Sequence, residues 1–420
     1  MDKFLIQGGH ALNGTAAISG AKNASLALMP AAILANSSCT LHRTPPLKDI
    51  GTMSRLLETM GAQIEHRDST MRIDCSRIQH YKAPYELVKK MRASFYVLGP
   101  LVAKYGYAKV SYPGGCAWGP RPVDLHIEAM KKLGAEVTLE AGYVIAQAKQ
   151  LHGARIAFDI SSVGATGNVL MAAVLAKGTT FIQNAAVEPE ITHLADFLNR
   201  MGASIHGTGT NTLEIEGVGE LHGIEDENIP DRIEAATFLA AAAITGGSIR
   251  IQGCSSEFML AVIAKLENAG CEIESSRDTI SLRAPAELQP VNVTTALYPG
   301  FPTDMQAQWI ALMSVACGTS TVADTIYFDR FNHVPELQRL GADIRMNENV
   351  AMVHGVKKLR GAKVMSTDLR ASASLILAGL VAEGETEVLR VYHLDRGYET
   401  IEKKLSSLGA NIRRIAGTEY

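Results

Sequence analysis

The sequence predicts an α/β protein assembled from six copies of one unit. Two patterns that run in step predict it, and charge placed at the helix starts suggests what the copies are for. The first pattern is a helix end, a glycine and a strand: Leu-Glu-Thr-Met-Gly61-Ala-Gln-Ile returns in altered form around Gly134, Gly202, Gly270, Gly341 and Gly409. Successive glycines lie 73, 68, 68, 71 and 68 residues apart. Six matches in register exclude chance, and the period exceeds the roughly 20–50 residues of solenoid repeats. Each glycine suits the residue just past a helix, where positive φ is needed. The apolar–polar alternation that follows suits a half-buried strand. The second pattern is an Ala-rich helix, a short turn and a β-branched strand, as in Ala176-Lys-Gly-Thr-Thr-Phe-Ile, Ala243-Ile-Thr-Gly-Gly-Ser-Ile and Ala382-Glu-Gly-Glu-Thr-Glu-Val. Each unit therefore reads as two helices and about four strands.

A chain of 420 residues is long for a single core, so six units divide naturally into three and three. Glu225-Asp-Glu-Asn-Ile-Pro230, polar and Pro-terminated, suits a linker between the halves. Residues 1–20 form a strand-like segment that fits either half. The balance of 40 basic and 43 acidic residues gives no basic face for nucleic acid and no acidic arm. The N-terminus lacks the apolar run of a signal peptide, and stretches such as Phe238 to Ile244 are too short to span a bilayer. The six cysteines show no Cys-x-x-Cys pair and read as reduced cytosolic thiols. The scattered histidines show no metal-ligand spacing.

The Ala-rich helix begins at an equivalent place in every unit. The starts are Gly20-Ala-Lys22-Asn23, Met91-Arg92-Ala-Ser, Ser162-Val163-Gly164, Asp231-Arg232-Ile-Glu234, Pro302-Thr-Asp304 and Asp368-Leu-Arg370. Repeat symmetry sends equivalent ends to equivalent faces, and helix N-termini attract anions. Lys22, Arg92, Arg232 and Arg370 oppose the helix dipole there. As a set they imply a bound anion that compensates. Any one of them alone reads as well as a surface charge or an internal ion pair. Ser19-Gly-Ala-Lys22 lacks the spaced glycines of a Walker loop.

One segment is chemically distinct: Tyr112-Pro-Gly-Gly-Cys116-Ala-Trp118-Gly-Pro-Arg121-Pro122-Val123-Asp124-Leu125-His126. Its glycines and prolines predict a loop that places Cys116 and Arg121 ahead of a helix N-terminus. A thiol so placed is acidified toward neutrality and can move a proton or attack. Cys39, Cys75, Cys254, Cys271 and Cys317 instead read as buried small hydrophobes. His126 reads equally as a substrate contact or a helix-packing residue. Asp304 is the best candidate base, with a plain N-cap aspartate as the alternative.

Taken together, Ser19-Gly-Ala-Lys-Asn23, Met91-Arg-Ala-Ser94, Pro113-Gly-Gly-Cys116, Arg121-Pro-Val-Asp-Leu-His126, Ser162-Val-Gly-Ala-Thr166, Pro230-Asp-Arg-Ile-Glu234, Phe301-Pro-Thr-Asp-Met-Gln-Ala-Gln308, Asp368-Leu-Arg-Ala-Ser-Ala373 and Asp395-Arg-Gly-Tyr-Glu399 resemble the UDP-N-acetylglucosamine enolpyruvyl transferase family over essentially the whole chain. The resemblance implies a two-domain inside-out α/β barrel, the enolpyruvyl transferase fold, with six βαβαββ repeats, three per domain. The implied domains are residues 21–229, carrying the Cys116 loop, and residues 1–20 plus 230–420, with the active site in the cleft between them. It implies transfer of the enolpyruvyl group of phosphoenolpyruvate to the 3′-hydroxyl of UDP-N-acetylglucosamine, with release of phosphate, in cytoplasmic peptidoglycan synthesis. Small-molecule substrates are implied, and no nucleic acid, membrane, metal or organic cofactor.

By the same resemblance Cys116 protonates C3 of phosphoenolpyruvate and is open to alkylation by the epoxide fosfomycin. Asp304 acts as base. Lys22, Arg121 and Arg396 hold the phosphate, and Arg330 and Arg370 the carboxylate. Asn23, Arg92, Arg121, Pro122, Val123, Asp124, Leu125, Ser162, Val163, Gly164, Asp304 and Ile326 line the sugar-nucleotide site. Trp118, Gly167 and Pro30 depart from the family's usual residues. Two rival readings are the related shikimate-pathway enolpyruvyl transferase, which uses no catalytic cysteine, and a non-catalytic sensor of the sugar nucleotide. The Cys116 loop disfavours the first, and the presence of Cys116, Asp304 and Arg396 disfavours the second.

Overall fold

The computed structural model describes residues 2–112 and 123–417. The chain divides into two compact units, Met1–Ser19 with Pro230–Tyr420, and Gly20–Ile229. Among the described residues the strands form six four-stranded sheets. The third repeat shows the plan without interruption. Strand Arg155–Ala157 leads to helix Val163–Ala173, strand Thr179–Gln183, helix Pro189–Arg200 and the hairpin Ser204–His206 with Thr212–Glu216. The first two strands pair in parallel across the helix, and the hairpin adds antiparallel. This is βαβαββ, as the resemblance implies. All six signature glycines sit just past a helix with φ between 91° and 111°.

The Ala-rich helices form the interior of each unit. In one unit these are Lys22–Ala31, Leu98–Tyr105 and Val163–Ala173; in the other, Arg232–Ile244, Gln306–Met313 and Leu369–Val381. Every residue from Ile233 to Ile244 is buried. A helix apolar on all sides has to be enclosed, and alanine lets neighbouring helices approach closely. The strands supply the enclosure by alternation: Ser248–Gln252 buries only Ile249 and Ile251. Helices inside and sheets outside make each unit an inside-out α/β barrel around its own apolar core.

Several details differ from the sequence expectation. Glu225–Glu227 is a strand rather than a linker. It pairs in parallel with Cys39–His42 and completes the sheet of the first repeat. Its Asp226 is buried and held by Arg200 and His193, which is why so polar a stretch can sit in a sheet. The N-terminal segment is two strands with two destinations. Lys3–Gln7 lies between Glu385–Leu389 and Asn411–Ile415, and Asn13–Ala17 pairs with Ser248–Gln252. Both belong to the unit that contains residues 230–420. The second and fifth inner helices open with 3-10 turns, Arg92–Val97 and Thr303–Met305. Cys39, Cys75, Cys254 and Cys271 are buried, but Cys317 is exposed, because it falls in the turn after an inner helix. Among the described residues no helix is long and apolar enough to cross a membrane.

Candidate active site

In the Gly20–Ile229 unit, Lys22 opens an inner helix and its Nζ lies 3.4 Å from Asp49 Oδ2. Asn23 beside it is exposed. Ser162 caps the Val163–Ala173 helix, its hydroxyl accepting from the Ala165 N–H at 3.3 Å. Val123 is buried at the start of helix Asp124–Lys132, leaving Asp124 exposed and Leu125 half-buried.

Two side chains from other elements secure this loop pair. Tyr96, from the 3-10 turn that Arg92 opens, donates to the Val163 carbonyl at 3.3 Å. His126 packs under Gly164, where a Cβ would come within 3.1 Å of its ring. His126 is joined to the core by Asn168, a residue the sequence reading missed, which also holds the backbone of Phe95 next to Tyr96. Its amide N–H₂ donates to the Phe95 carbonyl at 3.0 Å and to His126 Nδ1 at 2.8 Å, while its oxygen accepts from the Gly99 N–H at 2.8 Å. The network therefore assigns the His126 proton to Nε2. The structure thus brings Val123, Asp124 and Leu125 together with Ser162, Val163 and Gly164 through buried His126. Gly167 also has its reason: a Cβ there would meet Tyr96 Cε1 at 2.6 Å, so any larger residue requires this tyrosine ring to move. Cys116, Trp118, Arg121 and Pro122 lie outside the described residues.

In the other unit three candidates converge. Asp304 Oδ1 meets Arg330 Nη2 at 2.8 Å, and its Oδ2 meets Arg370 Nη2 at 2.7 Å. Asp304 is therefore not an N-cap aspartate. It lies inside the 3-10 turn Thr303–Met305, whose cap position is Pro302, and its carboxylate holds two guanidinium groups, whereas Asp231 and Asp368 cap their helices. Arg370 extends its other nitrogen to the Tyr398 hydroxyl at 3.1 Å. Burial works against the charge on Arg370, but Asp304, Tyr398 and Asp231 more than offset it and hold its proton firmly. Arg330 donates to Thr303 Oγ1 at 3.0 Å, and Thr303 donates to Asp324 at 2.6 Å. The other oxygen of Asp324 accepts from the backbone N–H groups of Ile326 and Tyr327, both at 2.9 Å. One buried carboxylate thus orders both Arg330 and Ile326.

Arg396 ends the 3-10 turn Val391–Arg396. Its neighbour Asp395 is gripped by Arg414 at 2.6 Å and 3.2 Å, and Glu399 accepts from Ser19 at 2.8 Å. The cations at helix starts are thus not all waiting for an external anion. Lys22 and Arg370 have internal carboxylates, and Arg232 lies 5.4 Å from the centre of the Tyr298 ring.

The family model described as EPSP synthase (3-phosphoshikimate 1-carboxyvinyltransferase) matches residues 6–405. UDP-N-acetylglucosamine 1-carboxyvinyltransferase of Chloroherpeton thalassium is 60% identical over 423 residues, covering 100% of this chain and 99% of the relative. The enzyme of the same name from Pelodictyon phaeoclathratiforme is 58% identical, with 100% of both chains covered. The chain belongs to the UDP-N-acetylglucosamine 1-carboxyvinyltransferase family. Among solved structures, the enolpyruvyl transferase NikO from Streptomyces tendae superposes with TM-score 0.90 at 26% identity, covering 99% of each chain. EPSP synthase from Acinetobacter baumannii, at 19% identity and TM-score 0.78 over 99% of this chain and 100% of its own, shares the fold.

The two buried histidines among the described residues, His126 and His333, make an acid-stability prediction. Burial, with Arg92 adding to it, pushes His126 down to about 3. Burial pushes His333 down to about 4, with Asp368 opposing and Arg330 reinforcing. In the unfolded chain both titrate near 6.5. Between those limits the unfolded state binds more protons, so stability falls as pH drops below about 6.5. Each histidine contributes roughly 1 kcal/mol per pH unit in that window. Urea unfolding at pH 7 and pH 5 should show a loss that shrinks in His126→Phe. An unchanged pH slope in that variant would contradict the neutral buried ring.

Proposed function

We propose that the chain transfers the enolpyruvyl group of phosphoenolpyruvate to the 3′-hydroxyl of UDP-N-acetylglucosamine and releases phosphate. The observation that carries this reading is full-length identity of 56–60% to enzymes of that one name, against 19% to the EPSP synthase of the same fold. The site supports it chemically. Phosphoenolpyruvate is an anion with a carboxylate, and Arg330 and Arg370 form a paired guanidinium cradle already shaped to a carboxylate, that of Asp304.

In this reading the sugar hydroxyl adds to C2 of phosphoenolpyruvate as Asp304 takes its proton and the Cys116 thiol gives one to C3. Asp304 then gives that proton up to solvent and the Cys116 thiolate regains one from it; loss of phosphate, with transfer of a C3 proton to the freed Asp304 carboxylate, restores the double bond. Lys22, Arg121 and Arg396 hold the phosphate, and Arg330 and Arg370 the carboxylate. The backbone of Ser162, Val163 and Gly164, the stretch Arg121 to Leu125, and Asn23, Arg92 and Ile326 take the sugar nucleotide. Fixed cations stabilise the anionic tetrahedral intermediate without reorganising at the moment of reaction. The product serves peptidoglycan assembly in the cytoplasm, and through it cell shape and division.

Phosphate release tests the reading. Wild type should release phosphate with phosphoenolpyruvate and UDP-N-acetylglucosamine, and none when shikimate 3-phosphate replaces the sugar nucleotide. Cys116→Ala should lower the rate by about 10²–10⁴-fold, the usual contribution of a positioned proton donor. Fosfomycin should add one adduct to the intact mass of wild type and none to Cys116→Ala. Release with shikimate 3-phosphate alone, or an adduct that survives the substitution, would overturn the assignment.

A further inference from the structure

The Asp304 cluster has an asymmetry that the assigned roles do not explain. The side chains of Arg330 and Arg370 are 7% and 5% exposed, and that of Asp304 is 26% exposed. Both arginines are fixed from behind. Arg370 rests on the hydroxyl of Tyr398, a residue 2% exposed. That hydroxyl meets Thr237 Oγ1 at 2.9 Å, and Thr237 itself donates to the Ile233 carbonyl at 2.7 Å. With Thr237 donating elsewhere, Tyr398 donates to it and so accepts from Arg370. Gln308 donates to the same tyrosine oxygen at 3.3 Å. Arg330 rests on Thr303 and, through it, on Asp324. The guanidinium groups are thus the fixed half of the cluster, and the carboxylate is its more accessible half.

A substrate carboxylate directed to Arg330 and Arg370 meets a seat that already holds one. Two carboxylates cannot both keep close two-arginine contacts without like-charge repulsion. We propose that Asp304 occupies the seat of the substrate carboxylate and is displaced from it on binding, and that Tyr398 is a positioning residue that keeps Arg370 in place through the exchange. This rests on the enolpyruvyl transfer reading. It links binding to base strength. Seated, the Asp304 oxygens are taken up by two cations and accept a proton poorly. Displaced, the same carboxylate loses two cationic partners and gains a neighbouring anion, so its proton affinity rises when a base is required. Other charged groups facing the cluster are Asp231, which acts on Arg370 and Tyr398, Asp324 behind Thr303, and His333 with Asp368 beside Arg330.

The test uses two non-reacting probes that differ by a carboxylate, phosphoglycolate and methyl phosphate, in calorimetry with UDP-N-acetylglucosamine present. Proton uptake is read from buffers of different ionisation enthalpy. Wild type should take up more protons with phosphoglycolate than with methyl phosphate between pH 5 and 7. Asp304→Asn should lose that excess. It should also bind phosphoglycolate on the order of tenfold more tightly, with a smaller gain for methyl phosphate. Tyr398→Phe should weaken phosphoglycolate severalfold, leave methyl phosphate unchanged, and keep the proton excess. Equal uptake for the two probes in wild type, or equal gains for both in Asp304→Asn, overturns the exchange and leaves the activity standing. A Tyr398→Phe loss shared equally by both probes overturns the positioning role. Binding of neither probe to wild type overturns the activity reading and the exchange with it.

Discussion

Arg370→Ala is expected to lower kcat/KM for phosphoenolpyruvate by about 10³-fold and to cost about 3–5 kcal/mol of folding stability. Both effects come from one guanidinium. Its Nη2 holds Asp304 at 2.7 Å and its Nη1 holds Tyr398 at 3.1 Å, in a side chain 5% exposed. Removing it leaves the Tyr398 hydroxyl buried with one donor fewer and takes from Asp304 one of the two guanidinium groups that hold it. The kinetic loss follows because the proposed seat needs two cations in a fixed fork. Arg370→Lys separates the two contributions. An ammonium is a point charge that cannot reach both partners in the guanidinium geometry. It should therefore recover part of the stability and little of kcat/KM. Steady-state kinetics beside urea unfolding reads both. A kcat/KM for Arg370→Ala within tenfold of wild type would remove Arg370 from substrate binding altogether.

The repeat was legible in the sequence because it is enforced by local backbone chemistry. A glycine at positive φ after each helix leaves a mark that survives divergence of the flanking residues, and all six marks lie where the helices end. The Ala-rich interior helices were legible for a similar reason, since only small apolar residues let three helices share one centre. What was not legible is pairing between distant segments. Glu225–Glu227 reads as polar linker because what makes it a strand, the Cys39–His42 edge and the Arg200–Asp226 contact, is supplied by residues 26 to 185 positions away in the chain. The split of the N-terminal segment between two sheets is hidden for the same reason.

The site divides along the same line. Lys22, Asp304, Arg330, Arg370 and Arg396 were named because charged residues at helix starts and in family motifs stand out one at a time. The residues that hold them in place do not. Asn168 left only a weak signal, one amide in the apolar run Val163–Ala173, yet it joins His126 to Phe95 and Gly99. Tyr398 lies inside the Asp395–Glu399 motif with no chemical signal of its own. Asp324 and Arg414 had no signal at all, because their importance is a matter of which side chains they reach. The reading of helix-start cations as a set was right about position and too simple about charge. A cation can be opposed to its own helix dipole and still be satisfied by a carboxylate from another element, as Lys22 is by Asp49.

Among the described motif residues, Gly20→Ala is expected to be the most disruptive single methyl, costing about 3 kcal/mol or more and lowering kcat on the order of 10²-fold. The obstacle is steric rather than conformational. A Cβ on Gly20 would stand 1.6 Å from the Arg43 carbonyl oxygen and 2.8 Å from its carbon, so the obstacle is backbone and cannot rotate away. Around it the chain is held on every side. The Ala21 N–H donates to the Ile229 carbonyl at 2.7 Å. Buried Asn228 donates to the Ala21 carbonyl at 3.0 Å and to Ser25 Oγ at 2.7 Å. Relief has to come from moving the segment that starts the Lys22–Ala31 helix, and Lys22 and Asn23 move with it. The control is Gly51→Ala in helix Lys48–Met60, where the new Cβ meets nothing within 4 Å. A helical alanine in open space should be neutral or stabilise by about 0.5–1 kcal/mol. The urea midpoint should therefore fall in Gly20→Ala and hold or rise in Gly51→Ala, and KM for both substrates should change in Gly20→Ala only. A Gly20→Ala protein with wild-type stability would mean that the Ser19–Lys22 segment gives way easily, and that it does not fix Lys22 in place.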